Sequence, residues 1–430
     1  MAKSRKDSKG RVLRSGESET IKNGKSYYTY RYKDTAGDRA SVSAPTLPEL
    51  REKEKALQED FFKGLSTGRE REKTVAEMCD IYLETKVNLK ATTLNNYKYM
   101  VDHFIRGQKI GKMKITQVKK SDIQKYYADL LKNGLPKDKK PSNGKYREQM
   151  KPATIENIQT ILHPVFQRAI DDGYIYRNPT QNIIPELKNS DLWDKNKREA
   201  LTPQQQEAFF DYIRNNPVYA HWTPLFTFMF GTGCRVGEVI GATWDDVNTK
   251  EGIFTISHNL VYHRVYDKDY KMAWFMNTPK TKGSQREIPL MSDVRSMLIR
   301  LKKEYFANPL PPIEIEGKEY NIIFRNRFGS NYIPSEINRA IKRIVRDYNR
   351  QEEEKAAKEG REPLLLPPFS CHVIRHTTGT RIWENTGDLN LTKDFLGHSD
   401  ISTTANIYVD VQREKRKEAI KEIEKNIKIS

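Results

Sequence analysis

Apolar and polar positions change their spacing several times along this chain, and each change marks a new kind of element. In KSYYTYRYKD, residues 25–34, Tyr28, Tyr30 and Tyr32 share one face while Tyr27, Thr29, Arg31 and Lys33 share the other. That period of two is the mark of a half-buried strand. GRVLRSG at 10–16 and the stretch 39–43 are also rich in β-formers, and Asp34-Thr35-Ala36-Gly37 makes a turn between the second and third runs. A helical pattern follows over residues 48–62. Residues 65–73 read as a linker, after which Thr74-x-x-Glu77 forms a capping box that opens a helical region. Its helices are predicted at 75–86, 92–104, 121–131 and 152–171, with Ser121 as an N-cap and Pro152 in a first turn. Residues 132–151, rich in Lys, Gly and Pro, read as a loop.

A second polar linker covers 185–199, and Thr202 caps a helix beginning at Pro203. The apolar stretch 222–230 predicts a buried helix, and 253–257, 272–278 and 286–289 predict a small sheet. Helices resume at Met291, and the charged segment 342–368 reads as a helix end followed by a loop. In the tail 413–427, Ile420, Ile423 and Ile427 line one helical face, suited to docking on a second copy or folding back. The expected fold class is multidomain, mainly α with small β-sheets: a three-stranded sheet plus helix at 1–65, a helical domain at 74–185, and a mixed α/β domain at 198–430.

Composition narrows the partner. The chain has 430 residues, enough for about three domains. Lys and Arg outnumber Asp and Glu by 75 to 57, a formal charge of +18, and the pI is near 9.4. Such a surplus favours a polyanion, whose condensed counterions are released on binding. No apolar run approaches the length of a membrane span and no hydrophobic signal segment opens the chain, so we expect a soluble, cytoplasmic protein with no membrane partner. Cys79, Cys234 and Cys371 are isolated, which implies neither a metal site nor a disulfide framework. On the alternating strand, Arg31 and Lys33, with Arg39 beyond the turn, suit a major groove; the same pattern also describes an ordinary strand with solvated cations. Lys90 and Lys98 are the candidate DNA contacts of the helical region.

The chemistry gathers in the second half. Arg235 follows a Gly-Thr-Gly break in GTGCRVGEV, and Glu238 sits one turn later, placed to orient it or a neighbouring cation. A guanidinium forks onto two phosphate oxygens as lysine cannot. Arg375 lies in CHVIRH, three residues after His372 and so on the same helical face. Lys280 ends a candidate strand before the turn Lys282-Gly283-Ser284-Gln285, on a hairpin tip that would carry a proton to a departing 5′ oxygen; Lys282 shares that face, and the local sequence does not choose between them. His372 and His398, the latter in FLGHSD, are candidates to take a proton and bind the phosphate. Tyr408, ten residues after His398 in TTANIYVD, is the candidate nucleophile. This set moves a phosphodiester with no metal or other cofactor and points to DNA strand transfer.

These boxes resemble the tyrosine recombinases, the phage-integrase-like enzymes, and the whole chain is similar to integrases of conjugative transposons and temperate phages. TGCRVGE, TPKTKGSQREIPL, HVIRHT and LGHSDISTTANIYVD carry the resemblance, which selects Lys280 over Lys282. It implies an arm-type DNA-binding domain at 1–65, a core-binding, SAM-like domain at 74–185 and a catalytic domain at 198–430, the latter two clamping core-site DNA. It further implies a 3′-phosphotyrosine intermediate, a Holliday junction, four protomers on two double-stranded sites in a bacterial cell, and a helper protein for excision. The segment before Phe369 is longer than the family usually has. Two rival readings are a type IB topoisomerase-like enzyme and a non-catalytic DNA-binding regulator.

Overall fold

The structure is a computed structural model describing residues 5–397 apart from 23, 36, 63–64, 66–71, 88, 90, 136–148, 191–192, 194–198, 266–270 and 278–285. It divides into two compact units, Met1–Asn196 and Lys197–Ser430.

The first unit opens with an antiparallel sheet of β1 (Glu17–Lys22), β2 (Lys25–Lys33) and β3 (Arg39–Ala44), in that order. Helix α1 (Leu47–Phe62) packs on it, and Tyr28, Ala44, Leu47 and Leu50 form the small core. The tyrosine alternation is obeyed, but the first strand is not at 10–16, where only Val12 makes a bridge, to Lys6. The strand lies one segment later, and its inward positions opposite Tyr30 and Tyr28 are Glu17 and Glu19. Glu17 is buried because Arg51 Nε donates to it at 3.0 Å and the Arg14 N–H at 2.7 Å. Glu19 accepts from the Tyr28 hydroxyl. Glutamates satisfied in this way occupy positions where a sequence pattern looks for apolar residues.

The helical part contains α2 (Val75–Glu84), α3 (Ala91–Met100) with a π-helical continuation Val101–Arg106, α4 (Lys109–Lys112), α5 (Lys120–Asn133), α6 (Pro152–Asp171) and α7 (Ile183–Lys188). The capping box ahead of α2 is present: the Thr74 N–H donates to Glu77 Oε2 at 2.7 Å, and the Glu77 N–H to Thr74 Oγ1 at 3.3 Å. Lys119, not Ser121, stands at the start of α5, where the Asp122 carboxylate accepts the Lys119 N–H at 2.9 Å. Val75, Met78, Ile105, Ile123, Tyr127, Ile158 and Phe166 fill the core. Gly111 of α4 touches this packing so closely that a Cβ would sit 2.1 Å from the Ile105 carbonyl oxygen.

The second unit begins with α8 (Pro203–Asn215), opened by the Thr202 and Gln205 capping box, then the buried α9 (Thr223–Thr232) and the short α10 (Val236–Ile240). Strands β4 (Val247–Asn248), β5 (Ile253–Ile256), β6 (Asn259–Arg264), β7 (Met272–Asn277) and β8 (Arg286–Pro289) follow. Next come α11 (Ser292–Ala307), the hairpin β9 (Ile313–Ile315) and β10 (Lys318–Tyr320), then α12 (Pro334–Glu359), α13 (Cys371–Thr386) and α14 (Leu389–Leu396). The three expected strands do not make one sheet. β5 pairs with β4 on one side and with β8 on the other, whereas β7 pairs with β6, which the sequence reading missed. The expected hairpin between 272–278 and 286–289 is therefore not a pair of adjacent strands. Cross-strand aromatic pairing explains the choice: Tyr262 packs on Trp274, ring centroids 4.5 Å apart, and His263 on Phe275.

The charged segment keeps α12 helical to Glu359, after which the chain returns along it. Asn349 brackets that return with two bonds of 2.9 Å, one to and one from the Leu366 backbone. The fold class is as expected, mainly helical with small antiparallel sheets. Among the described residues no helix is both long and apolar enough to cross a membrane.

Candidate active site

Two glycine turns set the backbone around the motif arginines. Helix α9 ends at Gly233 (φ 60°) and α14 at Gly397 (φ 66°), in the left-handed region where a Cβ is strained. A Cβ on Gly233 would also meet the Leu396 side chain at 2.9 Å, so the two turns are packed against each other. Arg235 lies two residues after Gly233 and immediately precedes α10. Its N–H donates to Glu238 Oε2 at 2.8 Å, its Nη1 to Glu238 Oε1 at 2.9 Å, and its Nη2 to the Gly397 carbonyl at 3.0 Å.

Arg375 lies on α13, which packs along α9 and is pinned there by the Thr378 hydroxyl, donating to the Phe230 carbonyl at 2.8 Å. Its side chain is buried, with Nη1 on the Gly233 carbonyl at 2.8 Å and Nη2 on that of Leu396 at 2.6 Å. Burial first, and then the charge of Arg235, lowers its pKa to about 9. It therefore remains cationic at neutral pH.

A third guanidinium completes the cluster. Arg286, the first residue of β8, donates from Nε to the Phe395 carbonyl at 3.0 Å and from Nη2 to Glu238 Oε2 at 3.2 Å. Three successive carbonyls at the end of α14, those of Phe395, Leu396 and Gly397, are thus held by Arg286, Arg375 and Arg235 in turn. The negative end of a helix dipole is a suitable place for cations. Three positive charges face one carboxylate, that of Glu238, so the cluster carries a surplus suited to an anion. Sequence reading passed over Arg286 as an ordinary strand residue; the only signal was its place inside the lysine box.

Glu238 is the buried hinge of this network. Burial alone would raise its pKa, but Arg286 first and then Arg235 more than reverse that, and the carboxyl lies below its ordinary range. A depressed carboxyl contributes stability that is fully present above the unfolded pKa of about 4.3 and is lost as pH falls through the folded one. We expect Glu238→Gln to lower stability by about 3 kcal/mol at neutral pH, since it leaves buried guanidinium charge uncompensated. The Tm gap between variant and wild type should narrow as pH falls below about 4.3. A gap that stays constant would show that Glu238 is not held ionised by its neighbours.

Of the residues read from sequence as one set, Arg235, Glu238 and Arg375 come together around the end of α14. His372 is exposed on α13, one turn before Arg375. Lys280, its rival Lys282, His398 and Tyr408 lie outside the described residues, as do Lys90 and the tail 413–427. Gly397, which holds Arg235, is the residue immediately before His398. Cys234 and Cys371, beside the arginines, are buried thiols raised to about 12 by that burial, which makes them poor nucleophiles. Away from the cluster, His163 bonds Thr180 and His258 bonds Ser257, both as structural side chains. In the first unit, Lys33 pairs with Arg39 and Arg31 with Ser41 across β2 and β3, so all three cations share the exposed face of the sheet. Lys98 is half-buried on α3.

The sequence profile of the phage integrase family matches residues 199–415, half of the chain. This chain belongs to that family, the tyrosine recombinases. The profile of the DNA binding domain of Tn916 integrase matches 1–61, and that of the phage integrase N-terminal SAM-like domain matches 74–131. Among curated relatives, a transposase from transposon Tn1545 of Streptococcus pneumoniae is 26% identical over 426 residues, covering 95% of this chain and 94% of its own. A transposase from transposon Tn916 of Enterococcus faecalis is 25% identical over the same coverage. Among solved structures, a Tn1549 transposon integrase in complex with transposon right end DNA has TM-score 0.66 at 24% identity, covering 80% of this recombinase and 99% of that chain.

Proposed function

We propose that this recombinase integrates and excises a mobile element of the conjugative-transposon kind, cutting DNA through Tyr408. The arginine cluster carries the proposal: Arg235 and Arg375 are fixed on consecutive carbonyls at the end of α14, one residue before His398. Each guanidinium has five N–H donors in a planar fork, and the bonds made to those carbonyls leave donors for phosphate oxygens. Near full-length similarity to transposases of Tn1545 and Tn916 supports the mobile-element assignment.

In this reading the Tyr408 oxygen attacks the scissile phosphorus, the bond to the 5′ oxygen breaks, and Lys280 gives that oxygen its proton. The strand is left as a 3′-phosphotyrosyl ester with a free 5′-hydroxyl. His372 and His398 take the phenol proton and bind the phosphate, while Arg235 and Arg375 stabilise the pentacoordinate charge. A 5′-hydroxyl from a partner duplex reverses the step, so ester replaces ester and no cofactor is consumed. Four protomers would hold two duplexes through a Holliday junction, with a helper protein for excision. The 1–65 domain would bind arm-type sites through Arg31, Lys33 and Arg39, and the 74–185 domain core sites through Lys90 and Lys98.

The test is trapping. Nicked duplexes tiled across the DNA on either side of the reading frame should yield a covalent adduct at one sequence. Proteolysis should leave a peptide containing Tyr408 joined to a 3′ phosphate, and an added 5′-hydroxyl strand should release it by ligation. No adduct on any duplex would defeat the proposal.

A further inference from the structure

We propose that Arg286 is a positioning residue for the strand-cleavage reaction, acting through Glu238 and the end of α14 to fix Arg235 and the backbone that leads into His398. The inference rests on the assignment of Arg235 and Arg375 to the phosphate.

The Arg286 side chain is almost wholly buried, and its fork has two targets that no sequence pattern connects. One is Glu238, 48 residues away, approached by Nη2 at 3.2 Å and Nη1 at 3.5 Å; the other is the Phe395 carbonyl, 109 residues away, approached by Nε at 3.0 Å. Both targets touch Arg235 directly or through one neighbour. Glu238 also accepts from the Arg235 N–H and Nη1, and Gly397, two residues after Phe395, accepts from its Nη2. Arg286 thus braces the two objects between which Arg235 is stretched.

Charge adds a second effect. With Arg235 alone, Glu238 would form a closed ion pair and cancel the charge that a phosphate needs. With Arg286 sharing the carboxylate, the positive charge at Arg235 is not spent. The fit is close, since a Cβ on Gly397 would stand 2.6 Å from Arg286 Nη1. A lysine at 286 keeps the charge but, as a point donor, cannot serve Glu238 and Phe395 at once.

The experiment compares wild type, Arg286→Lys, Arg286→Gln and the neutral pair Glu238→Gln with Arg286→Met, the last in case the single variants fail to fold. Three quantities are read for each folded protein: duplex affinity, single-turnover cleavage of the nicked duplex, and amide exchange at residues 393–397. We expect affinity within about threefold of wild type and cleavage down by about 10- to 100-fold, the scale of a misplacement near 1 Å. Exchange at 393–397 should be faster, and Arg286→Lys should not rescue. Cleavage at the wild-type rate in Arg286→Lys, or a loss explained by affinity or folded fraction alone, would overturn the proposal. If wild type itself makes no adduct, the functional reading fails; exchange at 393–397 then still decides, and unchanged protection in Arg286→Gln overturns the bracing role by itself.

Discussion

Tyr408→Phe forms no covalent protein–DNA adduct and binds the same duplex within about twofold of wild type: this is the largest effect expected of any single change. The substitution removes one oxygen and nothing else, so shape and charge at the DNA surface are retained. Loss of a nucleophile that works with its own acid and base costs at least about 10⁴ in rate. The chain has 22 tyrosines, and the question is whether another could substitute. Several described tyrosines of the second unit are poorly suited. Burial raises the Tyr212, Tyr332 and Tyr348 hydroxyls, and burial followed by Asp347 raises that of Tyr219 to about 12. The Tyr305 hydroxyl donates to Asn321 and that of Tyr348 to the Leu364 carbonyl. Gel mobility after denaturation reads the adduct, and an adduct in the Phe variant, or a peptide carrying a different tyrosine, would remove Tyr408 from its role.

What the sequence disclosed and what it hid follow from the range of the interactions. The capping box at Thr74, the cap at Thr202 and the alternation of β2 are local, decided within a few residues, and they were legible. Arg235, Glu238 and Arg375 were legible because short motifs carry them. The first strand was misplaced because its interior is built from Glu17 and Glu19, whose partners Arg51 and Tyr28 belong to other elements. β6 was missed, and β7 given the wrong neighbour, because Tyr262 and Trp274 announce themselves only once paired. Arg286 was overlooked for the same reason: its meaning lies in a carboxylate and a carbonyl supplied by other helices. Long-range polar contacts leave no periodic trace, and at this site they do the positioning.

Arg375→Ala is expected to damage folding and cleavage together, and Arg375→Lys to separate them. Alanine leaves the carbonyls of Gly233 and Leu396 without their donors in a buried setting, at about 1–3 kcal/mol each. It also removes one of the two guanidiniums proposed to face the phosphate, for which a loss on the order of 10²–10³ in cleavage rate is expected. Lysine keeps a long stem and a single ammonium nitrogen, enough to hold one carbonyl, so most of the melting temperature should return. The rate should not. Burial and the neighbouring Arg235 charge bring Arg375 down to about 9. A lysine starts near 10.4, about 2 pH units below arginine, so the same surroundings would leave it partly neutral at neutral pH. Cleavage by Arg375→Lys should therefore fall as pH rises from about 6 to about 8, where arginine in that place stays charged. Thermal melting and single-turnover cleavage across that range measure both effects. A lysine variant with wild-type rate and a flat pH profile would mean that residue 375 holds the fold and nothing more.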